Sequence, residues 1–74
     1  MTPFIPPKTI RKMASLGLSE SQVLEVYKNG EYKVLGSGAN AMIKKYSGYE
    51  IGLLYTQGKT GEYVITAVWK RDRR

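Results

Sequence analysis

The sequence predicts an α+β domain with two N-terminal helices followed by a three- or four-stranded antiparallel sheet. Apolar residues recur at helical spacing before Gly30 and alternate at strand spacing after it. The 74 residues suffice for one small domain, and 42% of them are hydrophobic, which is typical of folded chains. We therefore treat residues 1–74 as a single basic domain, with an extended arm over 1–7 and a basic tail over 71–74.

The first helix is predicted to start near Pro7 and to run to about residue 16. Proline is favoured at the first helical position, and Gly17 can end the segment as a C-terminal cap. Helical spacing predicts that one apolar face is formed by Ile10, Met13 and Ala14.

The second helix has the clearest start signal in the chain. Ser19 followed three residues later by Gln22 is the pattern of a capping box. Leu18 and Val23 have the spacing of a hydrophobic staple across that cap, and Asn29-Gly30 is predicted to end the helix. The predicted buried stripe consists of Val23, Val26 and Tyr27, with Leu24 at its margin.

The rest of the chain is predicted to form strands separated by glycine-rich turns. Ser47-Gly48 has the length of a two-residue hairpin turn, and Gly36-Ser37-Gly38 is a flexible break. In the last strand Ile65 and Trp69 are predicted to share one face, and valines on the other face favour a central position in the sheet. The predicted strands cover residues 32–35, 39–46, 49–56 and 62–70.

The composition excludes several kinds of chemistry. Cysteine and histidine are both absent, which excludes disulfides, thiolate or imidazole metal sites and histidine-dependent catalysis. No apolar run approaches the roughly 20 residues of a membrane span, and no signal peptide is recognisable. We expect a cytoplasmic protein with no metal, no cofactor and no membrane partner.

Positive charge gathers in three clusters of a chain whose formal net charge is +6. Such clusters can neutralise phosphates, so RNA is the expected partner, with DNA as an alternative. A merely solvated charged surface is the other interpretation. The predicted nucleic-acid-binding residues are Lys8, Arg11, Lys12, Lys44, Lys45, Lys70 and Arg71, and Arg73 and Arg74 extend the last cluster.

Six tyrosines and one tryptophan are interleaved with this charge. Exposed aromatic rings can stack on unpaired bases. Their periodicity places most of them in the core instead, which leaves Tyr32 and Tyr46 as the surface candidates. The aromatic residues predicted to be core are Tyr27, Tyr49, Tyr55, Tyr63 and Trp69.

Two other motifs have alternative interpretations. Gly58-Lys59-Thr60-Gly61 is similar to the end of a phosphate-binding loop, but the upstream glycine is missing and the segment joins two predicted strands. We predict a hairpin loop there. Residues 9–29 resemble a helix-turn-helix, although Glu20 and Glu25 on its second helix would repel DNA phosphates.

The stretch from Ile10 to Arg71 resembles a family of small bacterial and phage domains related to the BrnT and RelE-like toxins. That family carries a histidine, an Arg-Met pair and an Arg-Gly near its start, where this chain has Lys8, Lys12-Met13 and Leu16-Gly17. A final strand followed by basic residues, here 64–69 and then Lys70-Arg71, is also shared. The resemblance implies a domain that binds RNA and cleaves it without a metal through the 2′-hydroxyl.

Cleavage would need a proton acceptor, a proton donor and a group that stabilises the phosphorane charge. Cationic side chains can supply the stabilisation, and a lysine can act as a base only if its pKa is lowered. The family histidine is replaced here, which favours an RNA-binding protein without activity over a ribonuclease. The candidate catalytic residues are Lys8, Lys12, Tyr46 and Glu62.

Three functions therefore follow from the sequence. The first is an RNA-binding domain similar to RelE- and BrnT-like ribonuclease toxins, with degenerate catalysis. The second is a non-enzymatic interaction protein, such as a phage or mobile-element accessory factor, which would bind a protein partner or form a homodimer. The third is a DNA-binding regulator of the helix-turn-helix type.

Overall fold

The computed structural model describes residues 3–72, and it confirms the predicted α+β fold class with four strands. The strands form one antiparallel sheet in the order β1-β2-β3-β4, so each strand pairs with its neighbours along the chain. The elements are α1 (Pro7–Ser15), α2 (Glu20–Asn29), β1 (Glu31–Val34), β2 (Asn40–Tyr46), β3 (Tyr49–Gln57) and β4 (Tyr63–Asp72).

Both helices pack on the same side of the sheet, which we call the helix face. Ile51 and Leu53 of β3 are fully buried there against Val23 and Val26 of α2. None of the helices within residues 3–72 lies on the opposite side, which we call the open face. The buried apolar cluster on the helix face consists of Ile5, Met13, Leu18, Val23, Val26, Ile51, Leu53, Ile65 and Val68.

Helix α1 turns a different side to the sheet from the one predicted. Ile10 is 46% exposed and Ala14 is also exposed, whereas Met13 and the polar Thr9 are buried. The Thr9 hydroxyl donates a 2.9 Å hydrogen bond to the backbone oxygen of Ile65 in β4, which offsets the cost of burying it. This polar anchor, which apolar periodicity cannot detect, sets the rotation of α1.

Helix α2 follows its prediction closely. Gln22 N donates to Ser19 Oγ at 3.2 Å, and Ser19 N donates to Gln22 Oε1 at 2.8 Å, so both bonds of the capping box form. Val23 and Val26 are fully buried, and Leu18 lies in the same apolar cluster. The cap and the buried stripe therefore fix where α2 begins and which side faces β2 and β3.

Strand β4 is an edge strand, and the predicted central position is wrong. Its valines face two sides because the register with β3 shifts at a bulge: Leu54 pairs with Ala67 and Tyr55 with Ile65. The extra residue, Thr66, brings both Ile65 and Val68 to the helix face.

The bulge also overturns the prediction that Ile65 and Trp69 share a face. Trp69 pairs with Gly52, whose neighbours Ile51 and Leu53 point to the helix face. Because side chains alternate along a strand, Trp69 lies on the open face.

The arm protects part of the outer edge of β4. Phe4 N donates to Tyr63 O at 2.8 Å and Ile65 N donates to Phe4 O at 3.0 Å, forming a short parallel bridge. Ile5 is buried in the apolar cluster, so the arm packs against the core at this residue. At the other end, β4 includes Arg71 and Asp72, so the predicted tail starts as strand. Met1, Thr2, Arg73 and Arg74 lie outside the described residues.

Candidate nucleic-acid interface

The open face is an apolar centre with a charged margin. Ile43, Gly52 and Trp69 lie side by side across β2, β3 and β4, and the neighbouring row consists of Ala41, Leu54 and Ala67. Phe4, which bridges to Val64, extends the apolar surface at the β4 edge. The centre of the open face is therefore apolar and partly buried: Trp69 is half-buried there and Ala41 is fully buried.

Trp69 occupies its place because residue 52 has no side chain. A Cβ atom built on Gly52 would overlap the six-membered ring of the indole. The ring therefore lies directly over the β3 backbone, where any larger residue would force it away. Glycine inside a strand often marks such a close approach, so the sequence did contain this signal.

Cations lie along one side of this apolar centre. Lys45, Glu50 and Arg71 form a row across β2, β3 and β4, next to the row that contains Trp69. Lys33 is on the same face, since it pairs with Ala41. Lys33 was missing from the predicted binding residues, although alternation along β1 could have placed it.

A second basic group lies where α1 meets the outer edge of β4. Lys8 and Lys12, one helical turn apart, line a pocket of about 260 Å³. Its remaining lining comes from Thr9 and from the β4 segment Thr66, Ala67 and Val68. Arg11 is exposed on the same helix. Val68 in this lining is two residues before Lys70 in β4.

The predicted Lys44-Lys45 pair is divided between the two faces. Lys44 points to the helix face, where its Nζ lies 3.4 Å from Glu25 Oε1. That ion pair offsets the charge of Lys44, whereas Lys45 is exposed on the open face. Successive strand residues alternate, so a pair of adjacent lysines cannot serve one surface.

Tyr46 and Tyr49 stack on the helix face at the end of the sheet near the β2–β3 turn. Their ring centroids are 5.0 Å apart, and Lys70 Nζ lies 4.9 Å from the centroid of Tyr49. The Tyr46 hydroxyl donates a 3.0 Å hydrogen bond to Glu25 Oε2. Tyr46 is half-buried and its hydroxyl is bound to Glu25, whereas the other surface candidate, Tyr32, is exposed. Tyr63 was predicted to be core, but it is 42% exposed.

Burial raises the pKa of Tyr46, and its hydrogen bond to Glu25 raises that pKa further. The phenol therefore keeps its proton at neutral pH, which makes Tyr46 a donor and not a base. We expect the midpoint of its phenolate absorbance to lie above the ordinary tyrosine value of 10.0. In an ultraviolet titration, Glu25→Gln should lower this pKa. Burial also raises the pKa of Tyr27 and Tyr55, so Tyr46→Phe should remove one of three late-titrating components. An unchanged titration in the phenylalanine variant would contradict this assignment.

The four candidate catalytic residues are not brought together. Lys8 and Lys12 share the pocket, but Tyr46 lies near the β2–β3 turn and Glu62 precedes β4 at the opposite end of the sheet. From Glu62 to Lys70 the strand advances roughly 25 Å at its usual rise. Glu62 also accepts a hydrogen bond from the Thr60 hydroxyl within the hairpin loop.

Comparisons with protein-family models, curated protein sequences and solved structures find no significant match to the chain. The resemblance to BrnT and RelE-like toxins therefore stays a prediction. Within residues 3–72, no three acidic side chains cluster as metal ligands, and none of the described helices has the length and apolarity to span a membrane.

Proposed function

We propose that this protein binds single-stranded RNA in the cytoplasm across the open face of its sheet. The observation that carries the proposal is the position of Trp69, held over Gly52 beside the row in which Lys45 and Arg71 flank Glu50. An aromatic ring on a flat sheet can stack with a base, and cations one row away can meet the adjoining phosphates.

Single-stranded RNA suits this surface better than a duplex. Bases in a helix are stacked on each other and are not available to an aromatic ring, whereas unpaired bases can be splayed onto a sheet. Helix α2 packs its valines on the sheet, and its first turn carries Glu20, which would repel a DNA backbone. Duplex DNA is included in the test as the competing ligand, and we expect it to bind more weakly than RNA.

The basic pocket would extend the RNA path around the edge of β4. Lys8 and Lys12 are neighbours of like charge, an arrangement that is slightly unfavourable unless an anion lies between them. Neither forms an ion pair with any residue in 3–72. We place a backbone phosphate in this pocket, with Arg11 as a further contact, whereas Lys44 is already occupied by Glu25.

We propose binding without cleavage. The two lysines of the pocket can stabilise a phosphate, but neither Tyr46 nor Glu62 lies beside them to move a proton. Bound RNA should therefore remain intact when it is run on a denaturing gel after the assay. Discrete cleavage products with 2′,3′-cyclic ends would instead identify a ribonuclease.

The test is a salt titration of binding to an unstructured RNA. Binding is monitored by the quenching of the fluorescence of Trp69, the one tryptophan of the chain. Each phosphate contact on a single strand contributes roughly 0.7 to the slope of log K against log salt concentration. The double variant Lys45→Gln/Arg71→Gln should therefore lower the magnitude of that slope by about 1.4 and weaken binding at low salt.

The matched control is Lys28→Gln/Lys59→Gln. Both lysines are exposed, one at the end of α2 and one in the β3–β4 loop, and the control removes the same total charge. It should leave the slope nearly unchanged. Equal effects of the two double variants would mean that net charge attracts RNA without a site on the open face. Tighter binding to duplex DNA would favour the regulator instead.

A further inference from the structure

Strand β1 forms an edge of the sheet that is open on its outer side. All four of its residues are exposed, and no other strand within residues 3–72 pairs with that side. Apolar side chains are concentrated here: Tyr32 is 53% exposed, Val34 59% and the following Leu35 37%. Free strand edges pair readily with other strands, and this edge lacks the proline or bulge that commonly blocks such pairing.

The hairpin identifies the backbone groups that point outward. Leu35 N donates to Ala39 O at 2.9 Å, so the backbone of Leu35 faces β2. In an antiparallel pair the direction alternates from residue to residue. Lys33 therefore also faces β2, while the N–H and C=O groups of Tyr32 and Val34 point away from the sheet.

The charges on β1 are complementary to a second, antiparallel copy of the same strand. Glu31 and Lys33 flank Tyr32, and both side chains lie on the open face. Neither forms an ion pair within the described chain. If two β1 strands pair antiparallel with Tyr32 opposite Tyr32 of the second copy, each Glu31 stands directly opposite a Lys33. Opposite charges in such positions stabilise the pair, and like charges destabilise it.

We propose that two copies of this protein associate through β1, with Tyr32 on the two-fold axis. The Tyr32 N–H groups and carbonyls then exchange hydrogen bonds across the axis, and the two sheets become one sheet of eight strands. The two open faces lie on the same side of that sheet, because paired residues share a face. The proposal does not depend on RNA binding.

The interface is small, which determines how the association has to be measured. A four-residue edge buries much less than the roughly 1,600 Å² of a standard stable complex. The monomer–dimer equilibrium should therefore depend strongly on concentration. We expect dimers in analytical ultracentrifugation of the full chain, without RNA, as the concentration rises from micromolar towards about 1 mM.

Charge exchange tests the partner and the register together. Glu31→Lys places two lysines opposite each other at both positions of the pair, and Lys33→Glu places two glutamates there. Each single variant should weaken dimerisation by about tenfold or more, although their net charges change in opposite directions. The double variant Glu31→Lys/Lys33→Glu recreates both ion pairs and should restore the dimer.

Lys59→Glu is the matched control, because it makes the same charge change as Lys33→Glu in the distant β3–β4 loop. It should dimerise at least as well as the wild type. A wild type that stays monomeric at 1 mM, or a double variant that dimerises no better than the single ones, would overturn the proposal. Circular dichroism of each variant checks that the domain remains folded.

A cysteine test examines the register directly, since the chain contains no cysteine of its own. In the proposed pair the two Tyr32 Cα atoms are about 5.5 Å apart, within the range of a disulfide. Tyr32→Cys should therefore oxidise to a covalent dimer. In Val34→Cys the two residues are roughly 14 Å apart along the strands and should not cross-link. Equal cross-linking of both variants would contradict the register.

Discussion

Ile51→Ala is expected to remove most of the free energy of unfolding of the protein at room temperature. Ile51 is fully buried in the middle of β3, within the apolar cluster that joins α2 to the sheet. Truncating a buried isoleucine to alanine costs about 2–5 kcal/mol. A domain of this size rarely has more than about 3–5 kcal/mol of stability, so little remains. Urea denaturation followed by far-ultraviolet circular dichroism measures the loss.

Ile10→Ala is the matched control for that variant. Apolar periodicity assigns Ile10 to the core face of α1, but the side chain is 46% exposed and α1 is anchored through Thr9 instead. The same truncation should therefore change the free energy of unfolding by only about 0.5 kcal/mol. A loss as large as that of Ile51→Ala would show that α1 packs with the rotation predicted by its periodicity.

The elements that the sequence predicts well are those fixed by local interactions. The capping box of α2 joins Ser19 to a residue three positions away, so its signal lies within one turn. The Ser47-Gly48 turn is similar: Tyr46 pairs with Tyr49 directly across it, and Gly48 has a φ of +84°, which favours glycine. Such features need no knowledge of the rest of the fold.

The errors arise where a distant contact outweighs local periodicity. One extra residue at Thr66 moves Trp69 from the predicted core face to the open face. The sequence pattern of β4 alone does not indicate this bulge. The rotation of α1 depends on a hydrogen bond between residues 56 positions apart. In both cases the deciding partner belongs to another element, so a single-strand or single-helix pattern cannot contain it.

The candidate interface was predictable in composition but not in arrangement. Most of its cations were named from the sequence, yet Lys44 is paired with Glu25 while Lys33 had been omitted. Side chains alternate between the two faces along β1 and β2. Once the sheet order is known, this alternation assigns Lys33 to the open face and Lys44 to the helix face. The role of Trp69 also requires knowing that Gly52 lies opposite it, which is a matter of register.

Gly52→Ala is expected to displace the indole of Trp69 and to weaken RNA binding. The added methyl group would occupy the space of the six-membered ring, so the ring must leave its place over β3. Overpacking of this kind typically costs about 1–3 kcal/mol. Trp69 is the one tryptophan of the chain, so its fluorescence reports the displacement as a shift of emission to longer wavelength.

Removing the indole ring altogether sets the upper limit of the loss of RNA affinity. Stacking of one base on an aromatic side chain is worth about 1–3 kcal/mol, so Trp69→Ala should lower affinity by roughly 5- to 150-fold. Gly52→Ala should fall between that variant and the wild type, because the indole remains but no longer lies over the β3 backbone. Fluorescence anisotropy of a labelled RNA measures all three affinities at one salt concentration.

Gly36→Ala provides the control, since a methyl group there meets nothing within 4 Å and the change lies in the β1–β2 loop. It should alter neither the emission of Trp69 nor the RNA affinity. If Gly52→Ala shifts the emission while RNA still binds as tightly as to the wild type, Trp69 is a packing residue of the open face. Binding would then have to reside in the basic pocket at the α1–β4 edge, where Lys8→Gln/Lys12→Gln would abolish it.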